Sequence, residues 1–206
     1  MTHDVLLLDG GMGQELIRRS PSPAHHHWSL QVMLEQPELV AEVHRDFCKA
    51  GAGVACLNTY AITHTRLARG TGLPPISGLL NDARDLAQQG VEASGQLDTA
   101  LVTSLPPLVA SYRPDTQLPL EQAIQEYREL IELQVESVDG FIAETIPSIA
   151  EATAVLTAAD QAGVRIMLGL TVADENGQLL RSGEPLPDAL AAIDAFEPLA
   201  VVINCS

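Results

Sequence analysis

Polar groups able to do chemistry stand at the ends of apolar runs in this chain. Asp9 follows Val5-Leu6-Leu7-Leu8, Asn58-Thr59 follow the run from Val54 to Leu57, Glu144 follows Phe141-Ile142-Ala143, and Cys205 follows the run from Leu199 to Asn204. If those runs are strands of a parallel sheet, their C-terminal ends share a rim, and function in such folds collects there. A carboxylate is costly to bury unless it is paired, so Asp9 and Glu144 at strand tips suggest a site that holds a cation. The plainer alternative is that each carboxylate only caps a loop or the next helix. Cys205 adds a thiol, which is a good nucleophile or metal ligand only as the thiolate.

Other motifs carry less. Gly10-Gly11-Met12-Gly13 could cradle a phosphate, because a glycine-rich turn after a first strand exposes backbone N–H groups. The third glycine of the dinucleotide fingerprint is missing, however, and Asp9 beside the turn would repel phosphate. His25-His26-His27 invites a metal reading, yet three consecutive side chains cannot all point one way, and a solvated loop over Pro21 to His27 is expected. Cys48, beside Phe47 on a helix, and Cys56, inside an apolar strand, read as core packing. His44 and His64 show no partner in sequence, and Trp28 reads as a packing anchor.

Composition bounds the alternatives. At 206 residues and 46% hydrophobic, the chain can bury a sizeable core. A formal net charge of -16 argues against nucleic acid or an anionic membrane as partner, since both select for clustered Lys and Arg. Three cysteines without a CxxC pair fit a reducing cytosol better than a disulfide scaffold. No apolar run approaches the roughly 20 residues that span a bilayer, and Val5 to Leu8 is too short for a signal-peptide core. A soluble cytoplasmic protein is expected.

The elements that must position these groups alternate. Strands are expected at Val5–Asp9, Val54–Thr59, Ala100–Leu105, Phe141–Thr145, Arg165–Thr171 and Leu199–Asn204, each apolar enough to be buried on both faces. Pro37 at a first turn, apolar residues at helical spacing and Gly51 at a C-cap define a helix over Pro37–Ala50. Leu79, Leu80, Ala83, Leu86, Ala87 and Val91 make a second stripe, and Ile124, Tyr127, Ile131 and Val135 a third. Ser148 with Glu151 reads as a capping box opening a helix that Gly163 closes. Arg113 to Pro119 reads as a loop. The βα repeat has no linker, so residues 1–206 read as one α/β domain, closed as a barrel or open as a doubly wound sheet.

Asp9-Gly10-Gly11-Met12-Gly13, Trp28-Ser29, His44 with Ala50-Gly51-Ala52-Gly53, Asn58-Thr59-Tyr60, Glu144-Thr145 and Asn204-Cys205 occur in one order with one set of intervals. In these the chain resembles the zinc-dependent homocysteine S-methyltransferase family. The resemblance implies a TIM-type (β/α)8 barrel of which the chain holds about six βα units. It implies that Cys205 is a zinc ligand, that Asp9 and Glu144 bind the homocysteine ammonium group with the Gly10-Gly11 backbone close by, and that Asn58, Thr59 and Asn204 line the pocket.

It also implies a reaction. An ordinary thiol is mostly protonated at neutral pH, and zinc held by thiolates lets a coordinated substrate thiol lose its proton. The homocysteine sulfur then attacks the methyl of a sulfonium donor, S-methylmethionine or S-adenosylmethionine, giving methionine, as methionine biosynthesis requires. The family's Gly-Gly-Cys-Cys segment, source of two zinc ligands, and its last two βα units have no counterpart in these 206 residues. The readings are therefore a fragment of a longer enzyme, a short non-catalytic homologue that binds a small molecule or partner, or an unrelated βα protein. Open barrel edges would favour self-association.

Overall fold

A computed structural model describes residues 5–22 and 27–206. His25 and His26, expected in a solvated loop, lie outside the described residues. In chain order the elements are α1 (Met12–Arg19), α2 (Ser29–Glu35), α3 (Pro37–Lys49), β1 (Val54–Cys56), α4 (His64–Leu67), α5 (Ile76–Ser94), β2 (Ala100–Leu105), α6 (Leu120–Glu132), β3 (Gly140–Ile146), α7 (Ile149–Gln161), β4 (Met167–Leu170), β5 (Val172–Ala173), β6 (Asn176–Leu180), α8 (Leu186–Ile193) and β7 (Ala200–Ile203). β1, β2, β3, β4 and β7 belong to one parallel sheet, and β5 and β6 form a separate antiparallel hairpin. The chain divides into two compact units: Met1–Ile62, Gly70–Ser104 and Ser137–Gly140, then Thr63–Arg69, Leu105–Glu136 and Phe141–Ser206.

In the first unit β1 pairs with β2, Val54 opposite Ala100 and Cys56 opposite Val102. Pro37 stands in the first turn of α3 as expected, and Gly51, at φ 107, takes the left-handed turn past its C-terminus that a side chain would strain. Val40, Val43, His44 and Cys48 of α3 are buried, as are Leu79, Leu80, Ala83, Leu86, Ala87 and Val91 of α5. The two helices pack against each other, and Gly90 sets how close they come. A Cβ at Gly90 would lie 2.6 Å from the Ala41 carbonyl oxygen and 2.9 Å from the Arg45 nitrogen. Backbone cannot yield as a side chain does. Gly90→Ala should therefore destabilise by about 1–3 kcal/mol despite the better helix propensity of Ala, read as a lower urea midpoint. An unchanged midpoint would refute that packing.

Two expected strands change here. Val5–Asp9 is reduced to a bridge from Leu8 to Val54, with Val5, Leu6, Leu7 and Leu8 exposed. The Asp9 N–H still reaches the Val54 carbonyl at 3.1 Å, but the Cys56 N–H turns to the Asp9 carboxylate at 2.7 Å, so a side chain takes the next place in the ladder. Val54–Thr59 ends at Cys56, because the Thr59 N–H bonds back to the Leu57 carbonyl in a tight turn.

In the second unit β4 lies between β3 and β7, pairing Met167 with Ile142 and with Ala200. Ser148 accepts a hydrogen bond from the Glu151 N–H at 3.1 Å and starts α7, and Gly163 follows it at φ 69. The Glu151 carboxylate instead accepts from the Leu108 N–H at 2.9 Å and the Tyr127 hydroxyl at 3.0 Å. Burial raises its pKa above the usual carboxylate range. β7 is not buried on both faces as expected. Leu199, Val201 and Ile203 are exposed, and among the described residues β7 pairs only with β4. Short α1, α2, α4 and α8 and the β5–β6 hairpin are additions to the expected series.

Candidate functional site

In the first unit the expected site residues are already engaged with the fold. Asp9 caps the Cys56 N–H, which is the local role that competed with ligand binding. Asn58 and Thr59 are buried: the Asn58 amide donates to the Ser29 carbonyl at 3.2 Å, and Thr59 Oγ1 donates to the Ser104 carbonyl at 3.0 Å. These bonds fix the first turn of α2 and the end of β2. A Cβ on Gly10 would strike the Phe47 ring at 2.7 Å, whereas one on Gly11 would meet only Gln14 at 3.8 Å. Gly10 thus serves packing, and Gly11 is the glycine with clearance around it.

Trp28 packs where a Cβ on Gly13 would fall, within 2.2 Å, and meets Tyr60 edge to face with 5.7 Å between ring centroids. The packing role expected for Trp28 agrees with this. His27, expected in a solvated loop, is buried. Cys48 lies in the core with Ala55, Leu57, Ala87, Val91 and Leu101, and burial raises its thiol pKa. His44 is fully buried, with neither ring nitrogen hydrogen-bonded, and desolvation lowers its pKa to about 3.

The second unit brings Glu144, Asn204 and Cys205 together. Glu144 and Thr145 occupy a bulge in β3: Ala143 pairs with Leu168 and Ile146 with Leu170, so β3 carries one residue more than β4 across that interval. Thr145 is fully buried at φ 62, a left-handed conformation costing a β-branched residue about 1–3 kcal/mol. Asn204, just past β7, accepts a hydrogen bond from the Thr145 N–H through Oδ1 at 2.9 Å. Its Nδ2 lies 3.5 Å from Glu144 Oε2, 3.5 Å from Thr145 Oγ1 and 3.6 Å from Cys205 Sγ.

Cys205 is exposed at φ 55, a second left-handed residue at this rim. Its carbonyl accepts from Thr171 Oγ1 at 2.9 Å and from Arg181 Nη2 at 3.3 Å. Arg181 is held in turn by Asp174, at 2.5 and 3.1 Å, and lies 4.6 Å from the centre of the Tyr112 ring. Gly169, Thr171 and Arg181 escaped sequence reasoning as site residues, and Thr145 entered only within the Glu144-Thr145 motif. Gly169 inside an apolar strand was the one available signal.

A four-coordinate zinc shell needs more donors than this rim supplies. Among the described residues no group of three His, Cys, Asp or Glu side chains could hold a metal. Cys48 is sequestered in the first unit's core, Cys56 ends β1 half-buried rather than lying inside a strand as expected, and Cys205 is exposed just past β7. The described side chains therefore do not by themselves fit the metal that the resemblance implies.

Parallel βα units with polar groups at the carboxyl ends of their strands define an α/β protein of the class that barrels and doubly wound sheets share. The model of the homocysteine S-methyltransferase family matches residues 6–206, and the chain belongs to that family. It is 33% identical over 219 residues to homocysteine S-methyltransferase of Escherichia coli (strain K12), covering 98% of this chain and 69% of that protein. It is 24% identical to homocysteine S-methyltransferase YbgG of Bacillus subtilis (strain 168), covering 70% of it. The metallated crystal form of the homocysteine methyltransferase MmuM from Escherichia coli superposes with a TM-score of 0.84 at 28% identity, covering 99% of this chain and 75% of MmuM. The fold is accordingly part of a TIM-type barrel, and the protein is a methyltransferase whose family transfers a methyl group to homocysteine. No described helix is long and apolar enough to cross a membrane.

Proposed function

We propose that this chain binds homocysteine for methylation by a sulfonium donor, S-methylmethionine or S-adenosylmethionine. The observation that carries the reading is the grouping of Glu144, Asn204 and Cys205 at the ends of β3 and β7. Glu144 would hold the substrate ammonium in a charge-assisted hydrogen bond. Cys205 is the residue that the family resemblance makes a zinc ligand, and the Escherichia coli relative has a metallated form. The described residues do not complete that metal's shell.

The chemical step is one in-line displacement. The thiol proton passes to solvent, the homocysteine sulfur forms a bond to the methyl carbon, and the carbon–sulfur bond of the sulfonium breaks with its electron pair passing to the donor sulfur. The donor's positive charge is neutralised in that step. The chain's own contribution is to orient homocysteine by its ammonium group so that its sulfur faces the methyl. Label transfer tests this reading. With homocysteine present, methyl-labelled S-methylmethionine or S-adenosylmethionine should yield labelled methionine, and no labelled methionine from either donor would overturn it.

A further inference from the structure

We infer that Asn204 is a positioning residue: its side chain reaches from the end of β7 across Gly169 of β4, holds Thr145 in its left-handed conformation and so sets the Glu144 carboxylate. The inference rests on Glu144 being the carboxylate that meets homocysteine.

The bulge creates the need for such a residue. An extra residue on β3 takes Thr145 out of register with β4, leaving its N–H without a ladder partner at a buried position. Asn204 Oδ1, at 2.9 Å, replaces that partner. A buried threonine stays at φ 62 only where its surroundings over-determine the backbone, and this bond is one such constraint.

Gly169 makes the reach possible. A Cβ there would lie 2.8 Å from Asn204 Oδ1 and 3.1 Å from the Ala143 carbonyl oxygen. Glycine inside a strand ordinarily weakens it, but here the vacated space is where the Asn204 amide sits. The same amide's Nδ2 lies 3.5 Å from Glu144 Oε2 and 3.6 Å from Cys205 Sγ, so one side chain sets the spacing between a carboxylate and a thiol. Asparagine suits this position because it accepts from the strained backbone with one atom and donates toward a carboxylate with the other.

The test compares wild type with Asn204→Ala, Asn204→Asp and Gly169→Ala, reading the Thr145 amide by hydrogen exchange in NMR and homocysteine affinity by calorimetry. In Asn204→Ala the Thr145 amide should exchange at least about tenfold faster, and homocysteine should bind about tenfold more weakly. Gly169→Ala should reproduce both changes by displacing the amide, although Gly169 has no assigned substrate contact. Asn204→Asp should keep Thr145 protected, since an acceptor remains, while weakening homocysteine binding because the Nδ2 donor facing Glu144 is lost and the two carboxylates push each other out of position. Unchanged Thr145 exchange in both Asn204→Ala and Gly169→Ala would overturn the inference. Faster Thr145 exchange in a protein that does not bind homocysteine even as wild type would support the latch and overturn the substrate assignment of Glu144.

Discussion

Replacing Glu144 by Ala should weaken homocysteine binding by about 2–3 kcal/mol, on the order of 50-fold, while leaving the fold intact. The size follows from losing a charge-assisted bond to the substrate ammonium at the half-buried bulge of β3. The fold should survive because Glu144 lies in a bulge, with Ala143 and Ile146 on either side carrying the pairing to β4. Glu144→Gln separates charge from shape: it should recover little affinity, because an amide cannot pair an ammonium as a carboxylate does. Calorimetric titration with matched circular dichroism reads both quantities. Wild-type affinity in Glu144→Ala would remove Glu144 from the site.

Acid should destabilise the protein through His44. Its folded pKa is lowered to about 3 by burial, whereas an unfolded histidine titrates near 6.5. Between those values the unfolded chain binds one proton more than the folded chain, so stability falls as pH drops through that window. The slope approaches about 1.4 kcal/mol per pH unit once pH is well below 6.5. A loss of that order over two or three units is large against the usual stability of a domain, about 5–15 kcal/mol.

His44→Leu removes the titrating group and two ring nitrogens that lack hydrogen bonds. It should be at least as stable at pH 7 and should show a flatter loss between pH 6 and 4 in urea midpoints. Asp46 and Asp174, whose pKa values their arginine partners lower, lose stability below the ordinary carboxylate range in both proteins and so leave the difference at pH 5–6 to His44. Parallel profiles for the two proteins would contradict the assignment.

What could be read from the sequence was what is local. α3, α5 and α7 were legible because a first-turn proline, a long apolar stripe and a serine cap act within a few residues. β2 and β3 were legible as near-continuous apolar runs between turns. Val5–Asp9 looked the same in sequence, yet its extent depends on whether the Asp9 carboxylate or a backbone carbonyl receives the Cys56 N–H. The hairpin of β5 and β6 went unseen because Asn176, Gly177 and Gln178 are polar and exposed, with no alternation to mark a strand.

The site divides in the same way. Glu144 and Cys205 could be named as candidates because they terminate apolar runs in the sequence, which is a property of neighbouring residues. Asn58 and Thr59 also terminate a run, but only their contacts with Ser29 and Ser104 reveal that they tie the fold together. Asn204 and Thr145 are 59 residues apart in sequence, and nothing local announces that one holds the other. The same holds for the grip of Arg181 on the Cys205 carbonyl, across 24 residues.

The proposal that homocysteine sits with its ammonium at Glu144 and its thiol toward Cys205 is most directly tested by calorimetric titration with homocysteine and with 2-aminobutyrate, which keeps the ammonium and carboxylate but lacks the sulfur. Homocysteine should bind once per chain and clearly more tightly than 2-aminobutyrate, and Cys205→Ala should abolish most of that difference. Equal binding of the two ligands by wild type, or a preference that survives in Cys205→Ala, would contradict the placement of the substrate thiol at this strand end.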